Sequence, residues 1–159
     1  MTLRLLKQAQ GCRDGEFEQL SIRIGHSLPE DYEEFLRKAN GGTPEPNLLP
    51  LKHGDTLGVT EFLSANDVSE DKFALGQRLS ANSWPIADAE GGNYVCLRLD
   101  GSRWKVTFWD HEVEREFPVA DSFGEFLELL QPFQARDLLR PGQVKSVWVD
   151  PSLLEDTDD

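Results

Sequence analysis

The residue types best suited to acid–base or metal chemistry stand side by side at Asp110, His111 and Glu112, where two carboxylates flank an imidazole. If folding brought His53 or Asp88 next to them, the group could hold a metal ion or act as a general base. No motif supports that chemistry, because the sequence has no HExxH, paired CxxC, GxSxG, P-loop or GxGxxG pattern. A hydrolase centred on this triplet is therefore the least favoured of three functional hypotheses.

A structural role accounts for the triplet more simply. Asp side chains often accept backbone N–H groups in turns, so we expect Asp110 and Glu112 to stabilise a turn while Trp109 fills the core. We predict that the protein is not an enzyme and that it uses no cofactor and no metal ion.

Acidic residues dominate the charged surface of this chain. It carries 29 Asp and Glu residues against 16 Lys and Arg, which gives a formal net charge of −13. This balance argues against direct binding of nucleic acid or anionic membranes, where Lys and Arg neutralise phosphate. It fits a basic partner and, equally, a charge that only aids solubility. Glu61 is one of the acidic residues near predicted loops and helix ends. The candidates for partner binding among these residues are Asp67, Glu70, Asp71, Asp88, Glu90, Asp110, Glu112 and Glu114.

Length and cysteine content indicate one domain without disulfide bonds. A chain of 159 residues can bury one core, and its two cysteines, Cys12 and Cys96, lie too far apart in sequence to suggest a disulfide framework or a metal site. The N-terminus lacks the features of a signal peptide, and no apolar run approaches membrane-spanning length. We predict a cytoplasmic protein that is a monomer or a weak homodimer.

The elements that must position these residues begin with two helices. Apolar residues at helical spacing predict a first helix from residue 13 to 24. A second helix follows Pro29, which suits the first helical turn, and its acidic start and basic end complement the helix dipole. Its buried stripe is Tyr32, Phe35, Leu36 and Ala39, and Asn40-Gly41-Gly42 ends it. Ser64 is the expected cap of a third helix that runs through Phe73, Leu75 and Leu79.

Strand patterns fill the middle of the chain. Residues 59–63 predict a short strand, and residues 94–99 and 104–109 alternate as the two arms of an antiparallel hairpin. Residues 115–119 predict a further strand. Pro85 restricts its apolar segment to an edge position or to the first residue of a strand. Ser122 and Glu125 form a capping box for a last helix, which Pro132 ends. Helices before and after antiparallel strands predict an α+β fold in which the helices pack on one face of the sheet.

Two segments lie outside these regular patterns. Residues 43–47 carry two prolines and predict an exposed, stiff loop. Beyond residue 133 the pattern changes, so we predict a domain over residues 1–133 and an extension over residues 134–159. Residues 144–149 are compatible with an edge strand, and the acidic tail that follows contains no basic residue.

Five separated stretches together resemble the SUKH superfamily, which includes the fungal cell-wall-assembly regulator domain and many bacterial immunity proteins. The stretches are IRIGHSLPEDYEEFLRKANGG, EFLSANDV, WPIADAEGGNYVCL, VTFWDHE and ADSFGEFLELL. The positions that carry the resemblance are Leu28, Pro29, Tyr32, Phe35, Leu36, Asn40, Gly41, Gly42, Pro85, Ile86, Gly91, Asn93, Trp109, Asp110, Glu112, Ser122, Phe123, Phe126 and Leu127. In this order and spacing they cover residues 16–131.

The resemblance implies a binding module without chemistry of its own. For a bacterial member it further implies stoichiometric neutralisation of a toxin, often a nuclease or another enzyme that acts on nucleic acid. This immunity role is the favoured hypothesis. A regulatory scaffold that binds cellular proteins, as the fungal relatives suggest, is the second.

Overall fold

A computed structural model describes residues 3–51 and 54–132 of the chain and confirms the predicted α+β fold. The elements in chain order are β1 (Arg4–Leu6), α1 (Asp14–Ile24), α2 (Glu30–Lys38), β2 (Thr43–Glu45), β3 (Leu48–Pro50), β4 (Thr56–Phe62), α3 (Ala65–Leu75), β5 (Ser83–Ala89), β6 (Asn93–Asp100), β7 (Arg103–Asp110), β8 (Arg115–Ala120) and α4 (Phe123–Leu129). Strands β3 to β8 form one antiparallel sheet in chain order, and β1 pairs with β2 in a small second sheet.

The main core lies between one face of the large sheet and the helices. Leu36 of α2 and Phe126 of α4 are fully buried there, in the same apolar cluster as Val95 and Leu97 of β6. Helices α2 and α4 are also joined by a hydrogen bond, because Gly124 N donates to the Asp31 carboxylate over 2.8 Å. The two predicted opening helices are confirmed. Tyr32, Leu36 and Ala39 of the predicted stripe are buried and Phe35 is half-buried, but α2 ends at Lys38, so Ala39 lies just beyond the helix.

A smaller apolar cluster covers part of the other face of the sheet. It consists of Leu75, Leu79, Cys96 and Trp109, with Tyr94 at its edge. Cys96 follows Val95 directly in β6, and neighbouring strand residues point to opposite faces, which places this cluster behind the main core. The end of α3 therefore crosses to the side of the sheet away from α4.

The hairpin of β6 and β7 and the strand β8 are confirmed. Ser122 caps α4 as predicted, because its hydroxyl accepts a hydrogen bond from Glu125 N over 3.0 Å. The returning bond of the capping box differs by one residue, since the Glu125 carboxylate accepts from Asp121 N rather than from the cap itself. Helix α4 ends at Leu129, three residues before the proline expected to end it.

The prediction of an exposed loop over residues 43–47 is wrong. Thr43–Glu45 pairs with β1, Leu48–Pro50 pairs with β4, and both Pro44 and Pro46 are buried. Proline has no N–H to donate to a neighbouring strand, so it is tolerated in strands at the edge of a sheet. Both β2 and β3 are edge strands. The partner strand β1 contains only three residues, too few for a periodic pattern to reveal it.

The prediction for Pro85, an edge position or the first residue of a strand, is also wrong, because β5 lies between β4 and β6 and Pro85 is its third residue. Two local features accommodate the proline. The pairing of β4 with β5 stops at Phe62 and Ala87, before it reaches Pro85. The register with β6 shifts between Pro85 and Ala87, as at a β-bulge, where a ladder hydrogen bond is not required.

The third helix is shorter than predicted. Ser64 caps it as expected, but α3 ends at Leu75 because Gly76 adopts a φ of 54° and a 3-10 turn follows. Leu79 is buried beyond the helix rather than within it. The extension over residues 134–159, including the possible strand at 144–149, and His53 lie outside the described residues.

Candidate protein-binding site

A row of polar side chains crosses the sheet on the face away from the main core. Asp88 of β5 lies opposite Glu61 of β4 on one side and opposite Tyr94 of β6 on the other. Because directly paired residues in adjacent strands point to the same face, the two carboxylates and the phenol lie side by side.

Helix α3 places three more carboxylates beside this row. The hydroxyl of Ser64 accepts a hydrogen bond from Asp67 N over 3.1 Å and so starts the helix, and Glu70 and Asp71 follow one turn later. Asp71 joins the helix to the sheet, since its carboxylate accepts a hydrogen bond from the Tyr94 hydroxyl over 3.2 Å. We call the surface formed by these five carboxylates, Glu61, Asp67, Glu70, Asp71 and Asp88, the acidic face.

The charges of the acidic face repel one another. Partial burial raises the pKa of Asp88, and the carboxylates of Asp71, Glu61 and Asp67 raise it further. The pKa of Asp71 is also raised, first by burial and then by Asp67 and Glu70, against the lowering effect of its hydrogen bond from Tyr94. Within residues 3–51 and 54–132, none of the five carboxylates forms an ion pair with Lys or Arg. The acidic face is therefore a surface of unneutralised negative charge.

The same charges affect the phenol at the centre of the row. Burial raises the pKa of Tyr94 to about 12, and the neighbouring carboxylates of Asp71 and Asp88 act in the same direction. Tyr94 therefore keeps its proton at neutral pH and holds Asp71 through it.

The structure thus brings together four of the eight predicted binding residues, namely Asp67, Glu70, Asp71 and Asp88, and adds Glu61. The other four have different surroundings. Glu90 accepts a hydrogen bond from Gly58 N over 2.9 Å, and Glu114 forms an ion pair with Arg78 over 3.0 Å.

Asp110, the last residue of β7, and Glu112, in the turn that follows, are the remaining two predicted residues. The Asp110 carboxylate accepts a hydrogen bond from Glu112 N over 2.9 Å, which is the turn role expected for it. The Glu112 side chain is exposed.

The neighbouring imidazole is held by an amide. The His111 backbone N–H donates to the Asn93 side-chain oxygen over 3.0 Å, and His111 Nδ1 lies 2.7 Å from the same atom. A backbone N–H can only donate, so that atom is an oxygen, and Nδ1 must also be a donor. The Asp110 carboxylate accepts from the turn backbone instead, and no three His, Cys, Asp or Glu residues in the described part of the chain are placed to hold a metal ion.

The predicted binding residues did not include an exposed aromatic side chain that lies beside the acidic face. Phe73 is 89% exposed on α3, whereas Trp84 and Trp109 are buried. The helical spacing of α3 would have predicted this exposure. Phe73 follows Asn66 and Glu70 at intervals of seven and three residues, so it shares their polar face rather than the buried stripe of Val68 and Leu75.

Comparison with known proteins places this architecture in a family. Residues 11–129 match the SMI1 / KNR4 family (SUKH-1). A relative in Bacillus subtilis (strain 168), the SPbeta prophage-derived uncharacterized protein YokK, is 31% identical in sequence, and the match covers 76% of each chain. None of the helices in the described residues is long and apolar enough to span a membrane. The matched residues run from just before α1 to the end of α4, and the chain therefore belongs to the SMI1/KNR4 (SUKH-1) family.

Proposed function

We propose that this protein is a bacterial immunity protein that binds a basic toxin in the cytoplasm, one to one, and occludes the toxin's functional groove. The observation that carries the proposal is the acidic face, where five carboxylates lie together without a cationic partner among the described residues. Family membership supports the same role, since the resemblance of this chain to the SUKH superfamily implies a binding module.

Such a surface becomes more stable when a cationic partner binds it. Like charges that face one another lower the stability of the folded protein, and a bound cation removes that repulsion. Exposed carboxylates also attract a basic protein over a distance set by ionic strength, which raises the rate of encounter. A nuclease fits this chemistry because its substrate groove must be basic to hold phosphate. The protein would act by blocking that groove, without a catalytic step.

The experiment is co-expression of this protein with each toxin-like protein encoded beside its gene, followed by growth measurement and co-purification. We expect one basic protein to arrest growth alone, and to be tolerated and co-purified one to one when this protein is present. If every such protein remains toxic, or none binds, the proposed function is wrong. Recovery of several envelope proteins instead of a toxin would favour the scaffold hypothesis.

Charge variants tie that result to the acidic face. The combined change Asp67→Asn, Asp71→Asn and Asp88→Asn should reduce protection. The matched control, Asp14→Asn, Glu45→Gln and Glu128→Gln, removes the same net charge from exposed positions elsewhere and should protect normally. Equal protection by both triple variants would exclude the acidic face as the binding surface.

A further inference from the structure

We propose that Phe73 and the groove beside it are the apolar anchor of this interface, and that the partner segment seated there carries one apolar side chain next to Arg or Lys residues. This inference rests on the proposed function, because it describes the element through which the basic toxin would be recognised. The apolar contact at Phe73 would add to the charge attraction between the acidic face and the toxin.

The groove lies between helices α1 and α3 and has a volume of about 530 Å³. Ile24 and Arg23 form its wall on α1, and Ser69, Glu70 and Phe73 line it on α3. The side chain of Trp84, from β5, also lines it. The groove therefore combines apolar surface from Ile24 and Trp84 with polar and charged side chains, which is the usual composition of a site that receives one anchoring side chain.

Phe73 gives the groove an anchor of its own. An aromatic side chain that is 89% exposed gains nothing from folding, whereas aromatic side chains contribute strongly to binding when a partner buries them. Its helix is otherwise polar on this side, so Phe73 is an isolated aromatic residue within a charged rim. That arrangement is typical of a binding contact that polar neighbours shield from water.

Glu70 links the groove to the acidic face, because it lines the groove and also raises the pKa of Asp71. Two cations line the groove as well. Lys72 Nζ donates to the carbonyls of Ser80 and Ser83 over 2.6 Å each, so its charge is already bound to backbone oxygens. Arg23 lies on the α1 wall, and no ion pair among the described residues joins it to a carboxylate of α3 or β5.

These positions give the partner segment a direction. Its Arg or Lys residues must lie over Asp67 and Asp71, where α3 meets the sheet, while its apolar side chain enters beside Phe73, where α3 faces α1. A polybasic segment without an apolar residue would satisfy the acidic face but leave Phe73 exposed. A partner with both a basic and an apolar contact therefore binds more tightly than a protein that is merely basic.

The test is selection of a displayed library of random twelve-residue peptides on the immobilised full chain. We expect the enriched peptides to carry Leu, Ile, Met or an aromatic residue within three positions of two Arg or Lys residues. The peptide enriched most, synthesised and titrated in solution, should bind the Phe73→Ser variant at least about 10-fold more weakly than the unmodified protein. The matched control is Ile22→Ser, which removes an apolar side chain that is 76% exposed on α1 and does not line the groove.

Three outcomes would overturn the proposal. They are enrichment of basic peptides with no preferred apolar position, equal loss of binding in the Phe73→Ser and Ile22→Ser variants, and no enrichment at all. None of these outcomes decides the proposed function, because toxin neutralisation in the co-expression experiment is measured without the peptides. Conversely, failure of neutralisation together with the expected enrichment would retain the groove as a peptide site and reject the immunity role.

Discussion

Replacing Asp88 by Asn removes one charge of the acidic face and keeps the shape of the side chain, and we expect the variant to be more stable than the unmodified protein. Asp88 is partly buried and is repelled by Asp71, Glu61 and Asp67. A single interaction between partly exposed charges contributes roughly 0.2–1 kcal/mol after screening by solvent. Three unfavourable interactions of that kind, together with partial burial, predict a gain of about 1 kcal/mol.

The gain should depend on pH in a defined direction. Because the folded protein raises the pKa of Asp88 above its ordinary value of 3.8, ionisation of this carboxylate destabilises the folded state. The destabilisation is absent below 3.8, where the carboxyl is protonated in both states. It grows as the pH rises through the folded-state pKa and is complete at neutral pH. The two proteins should therefore differ at neutral pH and converge in acid.

Urea unfolding and thermal melting at several pH values measure this difference. For a chain of this length, a gain of about 1 kcal/mol raises the melting temperature by about 2–4 °C. The control is Asp100→Asn, whose carboxylate lies 3.0 Å from the Arg98 guanidinium and should lose rather than gain stability when neutralised. A less stable Asp88→Asn protein at neutral pH, or a gain that persists below the ordinary pKa of Asp, would refute the repulsion.

Three further predictions concern the side chains of Glu116, Tyr32 and Cys12. Glu116 accepts hydrogen bonds from Ser83, Thr107 and Arg98, so Glu116→Ala should leave two buried hydroxyls unsatisfied and lower the free energy of unfolding in urea by about 2–3 kcal/mol. The buried Tyr32 hydroxyl has no hydrogen-bond partner among the described residues, so the Tyr32→Phe protein should melt at the same temperature or higher. A clearly lower melting temperature would show that the hydroxyl forms a stabilising hydrogen bond. Burial raises the pKa of the Cys12 thiol to about 11, so at neutral pH iodoacetamide should modify Cys12 only when urea unfolds the protein. Rapid modification of the folded protein would contradict the burial of Cys12.

The periodic elements could be predicted from the sequence because each carries its own signal. Helix α2 has a dipole-matched charge pattern and a complete buried stripe, and the β6–β7 hairpin alternates on both strands. The acidic residues of α3 could also be placed, because Ser64 is a recognisable cap. These signals are local, so they do not depend on knowing which segments meet in the fold.

Features that depend on distant partners could not be predicted. Pro44 becomes part of a strand only because β1, about forty residues earlier, pairs with its segment. The proximity of Asp88 to Asp71 depends on where α3 crosses the sheet, which no local pattern encodes. Phe73 is different, since its exposure follows from the helical spacing once the true buried stripe of α3 is recognised.

The role proposed for the acidic face is best tested by the rate at which this protein associates with the toxin identified by co-expression, over NaCl concentrations from about 50 to about 500 mM. We expect the Asp67→Asn, Asp71→Asn and Asp88→Asn protein to associate at least about 10-fold more slowly at low salt, with a rate that depends less on salt. The control that removes the same charge at Asp14, Glu45 and Glu128 should retain most of the rate. Equal association rates and equal salt dependence for the two triple variants would show that the acidic face does not steer binding.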